Sequence, residues 1–437
     1  MFMINNINKD FLSKYITPII IACIAPMGYF APIGEWLLIA FLALLTLIHF
    51  IFNSHKVNLS SLTVLFLVCL FMSCSFLWSI NQDRTAEVIW PTIGIMFAIY
   101  IIISFTSRIN TKNIDLILGF SLLATSIVIM SDLLLDTGIR TNLALMVGDN
   151  PTSKSGNYSR GILILLILMP ILVASLINSK RVILALIIFF LVSSIVIIGP
   201  NDTAKLALFA SVIAAIIIYF FGPKSFFSFG IIVILWILFA PLLVQKLFPS
   251  LTHMERNITI TCVCDVPETA EYCTKNSNNK CTKIVPWQAS SVGGSIAHRL
   301  LVWEFVGKEI NKSLLLGNGL GTSRLIGQNI VLNVPRTKKD IHGAIPLHPH
   351  NSVLEIWLEL GLIGAILYSS LWVLILKLGV SLRKKSFIMG TGACVTIINI
   401  FIISSLSFGI FQSWWMSSIG LIFFIIIQTS NNYLKLK

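Results

Sequence analysis

Charge is what this chain has least of: Asp, Glu, Lys and Arg make up 11% of 437 residues, against 56% hydrophobic. Soluble domains carry about 25% charged residues, so a soluble globular protein is excluded. Acidic side chains are scarcer than basic ones, 18 against 31, which leaves a net charge of +13. Cysteine is sparse too, eight in all. Internal repeats and low-complexity tracts are missing outside the apolar runs. That weighs against the paired repeats found in many secondary transporters.

What is present is hydrocarbon in long runs. A membrane span needs about 20 mainly apolar residues. Twelve candidates lie near 16–32, 33–52, 60–80, 86–105, 113–133, 160–178, 181–199, 203–221, 225–244, 351–376, 386–406 and 409–428. The expected fold is an all-α polytopic membrane protein with about twelve transmembrane helices. Three regions follow: helices 1–9 over 1–244, one large loop over 245–350, and helices 10–12 over 351–437. The first apolar run is read as a span rather than a cleaved leader, because no cleavage site separates it from the second. Ile20-Ile21-Ala22-Cys23 resembles a lipoprotein box, but the apolar run continues through it to Phe30.

The basic excess is distributed by side. When loops are numbered alternately, one side holds Lys9, Lys14, Lys56, Arg108, Lys112, Lys180, Arg181, Lys224, Lys377, Arg383, Lys384, Lys385, Lys435 and Lys437, with only Asp10 and Asp115 opposing them. Lys and Arg in short loops mark the cytoplasm. Both termini are therefore expected inside, and the charge reflects topology rather than nucleic-acid binding. The large loop and the polar segment 134–159 then face outward. Cys262, Cys264, Cys273 and Cys281 lie in that large loop, and in an exported segment they read as disulfides. A bridge between Cys262 and Cys264 is sterically disfavoured, which leaves two pairings. A zinc knot competes, although C-x-C-x8-C is no standard ligand spacing. Segment 252–295 reads as an irregular, disulfide-pinned lid. From Ile296 to Ile310, apolar residues recur at three- and four-residue steps, which predicts an amphipathic helix carrying Arg299 and Trp303 on one face.

The chemistry-bearing residues gather after it. Leu347-His348-Pro349-His350-Asn351 precedes Ser352-Val353-Leu354-Glu355, an S-x-x-E capping box that predicts a helix start near Ser352. His350 is the candidate general base, since imidazole titrates near pH 6.5 and can accept a hydroxyl proton. A structural histidine at a helix cap is the plainer alternative. His348, two residues earlier in an extended segment, can orient His350 or touch substrate, and Asn351 stands at the helix mouth. Arg299 can grip a pyrophosphate bidentately, or else snorkel to lipid headgroups. Lys205, beside Asp202 at the mouth of another span, and Arg160, at the mouth of a third, are further cationic candidates on the same face. Arg324 is a further candidate for diphosphate binding, just past Gly317-Asn318-Gly319-Leu320-Gly321, which itself reads as a turn rather than a phosphate cradle. A metal site is disfavoured, because Glu355 and Glu359 lie inside the helix and a third ligand is missing.

At these residues the chain resembles the O-antigen ligase and polymerase superfamily of bacterial membrane glycosyltransferases. The ligase pattern is His followed by Asn, Ser or Gln, nine residues, then Gly-x-x-Gly, Thr or Tyr. Here it reads His350-Asn351, Ser352 to Leu360, then Gly361-Leu362-Ile363-Gly364. Arg299 to Trp303 with Leu316-Gly317-Asn318-Gly319 resembles the preceding element, and Phe76-Leu77-Trp78-Ser79-Ile80 and Asn157-Tyr158-Ser159-Arg160 resemble weaker, earlier ones. The resemblance implies a GT-C-like architecture in the bacterial inner membrane, with the active site on the periplasmic face. It implies a polyprenyl-diphosphate-linked glycan as donor and the lipid A core as acceptor, with inversion at the sugar and neither metal nor nucleotide. His350 would handle the acceptor hydroxyl and Arg299 the diphosphate. Where the family often has Ser-Arg, this chain has Asn201-Asp202, and Lys205 replaces the planar fork only as a point charge. A polymerase extending a lipid-linked glycan is the nearest rival, a glycan-to-protein transferase the next, and a secondary transporter the rival from another class.

Overall fold

The computed structural model describes residues 15–53, 59–106, 113–135, 138–146, 154–253, 259–262, 273–275, 281–284, 294–328, 331–333, 340–342 and 344–436. In chain order the helices are α1 (Thr17–Phe30), α2 (Glu35–Asn53), α3 (Leu59–Cys74), α4 (Gln82–Thr106), α5 (Ile114–Leu134), α6 (Ile139–Met146), α7 (Lys154–Asn178), α8 (Val182–Ile198), α9 (Asp202–Phe221), α10 (Pro223–His253), α11 (Gly294–Ile310), α12 (Ser352–Lys385), α13 (Phe387–Leu406) and α14 (Ser413–Leu436). Among the described residues, eight helices are long and apolar enough to cross a membrane, and four apolar helices are shorter. The twelve expected segments all fall on helices, but only eight of these helices have the length and apolarity of a span. The protein is a predominantly helical, multi-pass membrane protein.

Composition decides which helices lie inside the bundle. Helix α7 is apolar all round, and every residue from Ile162 to Leu168 is buried, as expected for a helix surrounded by others. It packs against α13, α8 and α1. Helix α9 instead buries Ala204, Ala207 and Ser211 and turns Phe209, Ile213, Ile216 and Phe220 outward, with small residues at the contact and large ones facing lipid. Asn399 of α13 joins the three. Its Oδ1 accepts from Ser211 Oγ at 2.5 Å, and its Nδ2 donates to the Leu166 carbonyl at 3.4 Å. Pro170, four residues on, has no N–H for that carbonyl. In hydrocarbon an unsatisfied carbonyl is costly, and Asn399 supplies the missing donor.

Helix α12 begins at Ser352 as expected, but by a different cap. Asn351 is the N-cap, its Oδ1 accepting from the Val353 and Leu354 N–H groups at 3.0 and 3.1 Å. Glu355 does not close a capping box. With Asn351 as the N-cap, Glu355 stands one position beyond the third helical residue that a capping box requires, and its carboxylate reaches across the chain to the Ile410 N–H at 2.5 Å.

Lower down, α12 breaks at Gly361, where φ is +63°. The groups freed by the break are taken by segment 314–319. The Asn318 and Gly319 N–H groups donate to the Leu358 and Glu359 carbonyls at 3.0 and 2.9 Å, and Leu362 N–H donates to the Leu314 carbonyl at 2.9 Å. A Cβ at Gly361 would stand 2.4 Å from the Leu315 oxygen, and one at Gly317 2.4 Å from Glu359 backbone. Both glycines are therefore required by close approach. Glu359 clamps the next stretch, its carboxylate accepting from Gly321 N–H at 2.6 Å, Ser323 N–H at 3.0 Å and Ser323 Oγ at 2.6 Å. The turn after α3 joins the same knot: Trp78 Nε1 donates to the Leu316 carbonyl at 3.0 Å and Ile80 N–H to the Asn318 carbonyl at 3.1 Å.

The large loop holds more order than expected. Strands β1 (Thr259–Cys262), β2 (Cys273–Lys275) and β3 (Cys281–Ile284) form an antiparallel sheet of order β1-β3-β2, and β4 (Val331–Asn333) pairs with β5 (Asp340–His342). The lid is thus partly a small sheet, built in part on Thr and Ile positions that suit strands. Cys264 lies outside the described residues. Helix α11 buries Val302, Trp303, Val306 and Ile310 against α10 and α12.

Candidate active site

The segment before α12 places two imidazoles in a defined relation. His350 has φ +56°, a left-handed conformation that a side chain beyond glycine rarely adopts. Its own N–H donates to His348 Nδ1 at 3.0 Å, which holds the turn. That bond fixes a tautomer, because an accepting Nδ1 leaves the His348 proton on Nε2. His348 is buried, and its pKa is lowered to about 3, by burial first and then by the charges of His350, Arg299 and Arg160. It is a neutral hydrogen-bond donor, not a base.

His350 has the opposite tautomer. Its Nδ1 lies 2.9 Å from the Ser407 carbonyl, and a carbonyl only accepts. The proton therefore sits on Nδ1 and the lone pair on Nε2, as a general base needs. Burial lowers the His350 pKa. The Ser407 carbonyl opposes that shift, and Arg299 adds to it. Ser407 is held by the α13–α14 turn, which Glu355 secures through Ile410 N–H. Pro349 is fixed as well, its carbonyl accepting from Trp303 Nε1 at 2.8 Å. Arg299 and the two histidines thereby share one framework, through α11.

Arg299 Nη1 donates to Thr203 Oγ1 at 3.1 Å. Burial lowers its pKa, and Asp202 works against the shift. Arg160 lies over the Trp414 ring, its Cζ 4.9 Å from the centroid, a cation–π contact. It stands close enough to His348 and to Arg140 for the charges to act on one another. Arg140 is buried, and its Nε donates to the Tyr29 carbonyl at 3.1 Å. Tyr29 Oη in turn donates to Asp132 at 2.8 Å.

The structure therefore brings His348, His350, Arg299 and Arg160 together. Asn351 lies beside them with its oxygen committed to the helix cap, while its buried Nδ2 has no partner among the described residues. Lys205 sits at the start of α9, two residues from Thr203, but its half-exposed ammonium pairs with Asp202 at 3.5 Å. Arg324 is exposed on the short turn Ser323–Leu325. Among the described contacts, none joins Lys205 or Arg324 to the imidazoles. No group of three His, Cys, Asp or Glu side chains is assembled among the described residues.

Sequence reasoning missed Arg140, Trp414 and the Ser407 carbonyl. A Trp-Trp pair at the mouth of a span and an arginine after Gly138 were faint signals for the first two. A backbone carbonyl carries no side-chain signal at all.

Residues 201–369 match the sequence model of the family described as O-antigen ligase. A Rickettsia conorii protein named "Putative polysaccharide ligase" is 41% identical over 124 residues, 28% of this chain and 29% of that protein. A like-named protein of Rickettsia felis is 39% identical over 124 residues, covering 28% and 30%. That of Rickettsia prowazekii is 37% identical over 126 residues, again 28% and 30%. The matched stretch of this chain thus spans about three tenths of the length of these curated relatives. Arg299, the His348–His350 pair and the Gly361 break all fall within residues 201–369. Over residues 201–369 the chain is similar to the O-antigen ligase family, and over a stretch of 124 residues to proteins named as polysaccharide ligases.

Proposed function

We propose that this protein is a polysaccharide ligase of the O-antigen type. It would transfer a glycan from a polyprenyl diphosphate to a sugar hydroxyl of the lipid A core, at the periplasmic face of the inner membrane. The observation that carries the reading is the His350 tautomer, with Nε2 basic, Arg299 near enough to act on its charge, and Arg160 near its neighbour His348. The acceptor O–H gives its proton to Nε2 as its oxygen bonds the anomeric carbon. The bond from that carbon to the diphosphate oxygen breaks, and polyprenyl diphosphate leaves as an anion. Arg299 and Arg160 would hold the leaving oxygens, because fixed cations where charge develops lower the barrier. Attack opposite the leaving group inverts the sugar. His348 would donate from Nε2–H to substrate while its Nδ1 holds the His350 turn. The names of the relatives favour ligation over polymerisation.

The test is an acceptor assay with purified full-length protein and a lipid-linked glycan donor. Separate arms contain lipid A core, a second lipid-linked glycan, or protein. Product in the first arm supports the ligase. Product only in the second makes the protein a polymerase, and product only in the third a protein glycosyltransferase. Product in none, with flux in proteoliposomes that survives His350→Ala, makes it a transporter.

A further inference from the structure

Glu355 is a buried acid to which the proposed chemistry gives no part. It closes the first turn of α12, four residues after Asn351, and so lies on the same side of the helix as the Asn351 cap. Its side chain is buried, and none of the ion pairs among the described residues includes it. An acid kept in a membrane span without a cation is costly, which is the mark of a used residue.

Its use lies on the α13–α14 turn. The carboxylate accepts from the Ile410 N–H at 2.5 Å and from the Phe411 N–H. Three residues before Ile410, the Ser407 carbonyl meets His350 Nδ1 at 2.9 Å. Glu355 and His350 thus grip one turn at two points, and among the described hydrogen bonds these tie the turn to the entrance of α12. Gly409 stands between the two points. A Cβ there would lie 2.5 Å from Glu355 Oε1 and 2.9 Å from Oε2, so the carboxylate is pressed against the turn backbone. Elsewhere on the turn, Phe408 packs on Trp414 and Trp415, with ring centroids 4.6 and 5.1 Å apart. A carboxylate suits this place because two N–H groups need two acceptor oxygens. An amide has one oxygen, and its NH₂ only donates.

We propose that Glu355 is a positioning residue for glycan transfer: by fixing the α13–α14 turn, it holds the Ser407 carbonyl where it keeps the His350 proton on Nδ1. The inference rests on the ligase reading and deepens it. Without that carbonyl the imidazole is free to carry its proton on either nitrogen. Any fraction protonated on Nε2 has no lone pair there for the acceptor hydroxyl.

The test uses full-length protein in nanodiscs with ¹⁵N-labelled histidine, the His350 ring signals being assigned by their loss in His350→Gln. In the wild type Nδ1 should be protonated and Nε2 bare. Glu355→Leu removes both acceptors, and Gly409→Ala displaces the carboxylate without removing it. Each should show a population protonated on Nε2 and a kcat lower by about tenfold or more, with KM for the lipid-linked donor within about twofold. Glu355→Gln keeps one acceptor and should lose less than Glu355→Leu in both readouts. If the wild type transfers glycan while Glu355→Leu and Gly409→Ala keep its kcat and ring spectrum, the positioning role is overturned and the ligase reading stands. A raised KM with unchanged kcat overturns it as well. If either variant fails to fold, Glu355→Gln decides alone, and a wild-type spectrum with wild-type kcat overturns the role. If the ring spectra change as expected but the wild type glycosylates no acceptor, the hold on His350 stands and the ligase reading falls.

Discussion

His350 combines a strained backbone with a fixed ring. A non-glycine residue at positive φ stores about 1–3 kcal/mol, and here the His348 ring holds it there. His350→Gly should therefore be more stable than His350→Ala by about 1 kcal/mol, measured by thermal unfolding in detergent. Both should lose transfer activity by a factor of about 10²–10⁴, the usual contribution of a general base. The pH profile follows from the direction of the shift. A lowered His350 pKa keeps Nε2 unprotonated at neutrality, so kcat/KM should stay flat down to the ordinary imidazole value and fall only below it. A profile falling from above pH 7 would remove His350 as the base. His348 adds a stability effect of the same sign. Between about pH 6.5 and its value of about 3, the unfolded chain binds a proton that the buried ring refuses. Stability should fall as pH drops through that window, and His348→Asn should lessen the slope.

Among the elements, α12 shows why a ligase-type motif carries its first glycine. Gly361 breaks the helix, and segment 314–319 takes up the hydrogen bonds the break releases. Gly361→Ala would combine an unfavourable φ of +63° with a Cβ 2.4 Å from a carbonyl oxygen. It should cost at least about 2 kcal/mol, read as a lower melting temperature, and should release Trp78 from the Leu316 carbonyl, read as a shift in tryptophan emission. The small sheet bears on the cysteines. Cys262 and Cys281 are Cα partners in the β1–β3 ladder, whereas Cys273 is opposite Lys283. The Cα pairing of Cys262 with Cys281 predicts a bridge between those two, which peptide mapping without reduction should recover; a bridge from Cys262 to Cys273 would show that the ladder forms in another register.

For the whole molecule, contacts between helix ends follow the alternation that the charge pattern implies. Arg181 pairs with Asp115 at one end of the bundle, and Arg383 donates to the Ile218 carbonyl at 3.3 Å on the same side. Arg299 with Thr203, His350 with Ser407 and Arg160 with Trp414 meet at the other. Single-cysteine labelling in intact cells tests the sidedness. A cysteine placed at Ser179 should be shielded from an impermeant reagent, and one placed at Asn81 should react. The reverse pattern would invert the proposed topology and move His350 to the cytoplasmic face.

Hydropathy made the helices legible because a span must satisfy its own backbone, so twenty apolar residues leave little choice of structure. Residue type and local order also made His350, Arg299 and the Gly361 motif legible. The N-cap was misread, since Ser352 and Asn351 both cap well and only their geometry separates them. Arg140, Trp414 and Ser407 belong to elements far apart in the chain, and nothing local ties them to His350. The sequence alone determined the membrane class, the apolar segments and the imidazole as candidate base. The tertiary structure decided which nitrogen holds the lone pair and which cations gather near the two imidazoles, because those depend on contacts between helix ends that chain order does not specify.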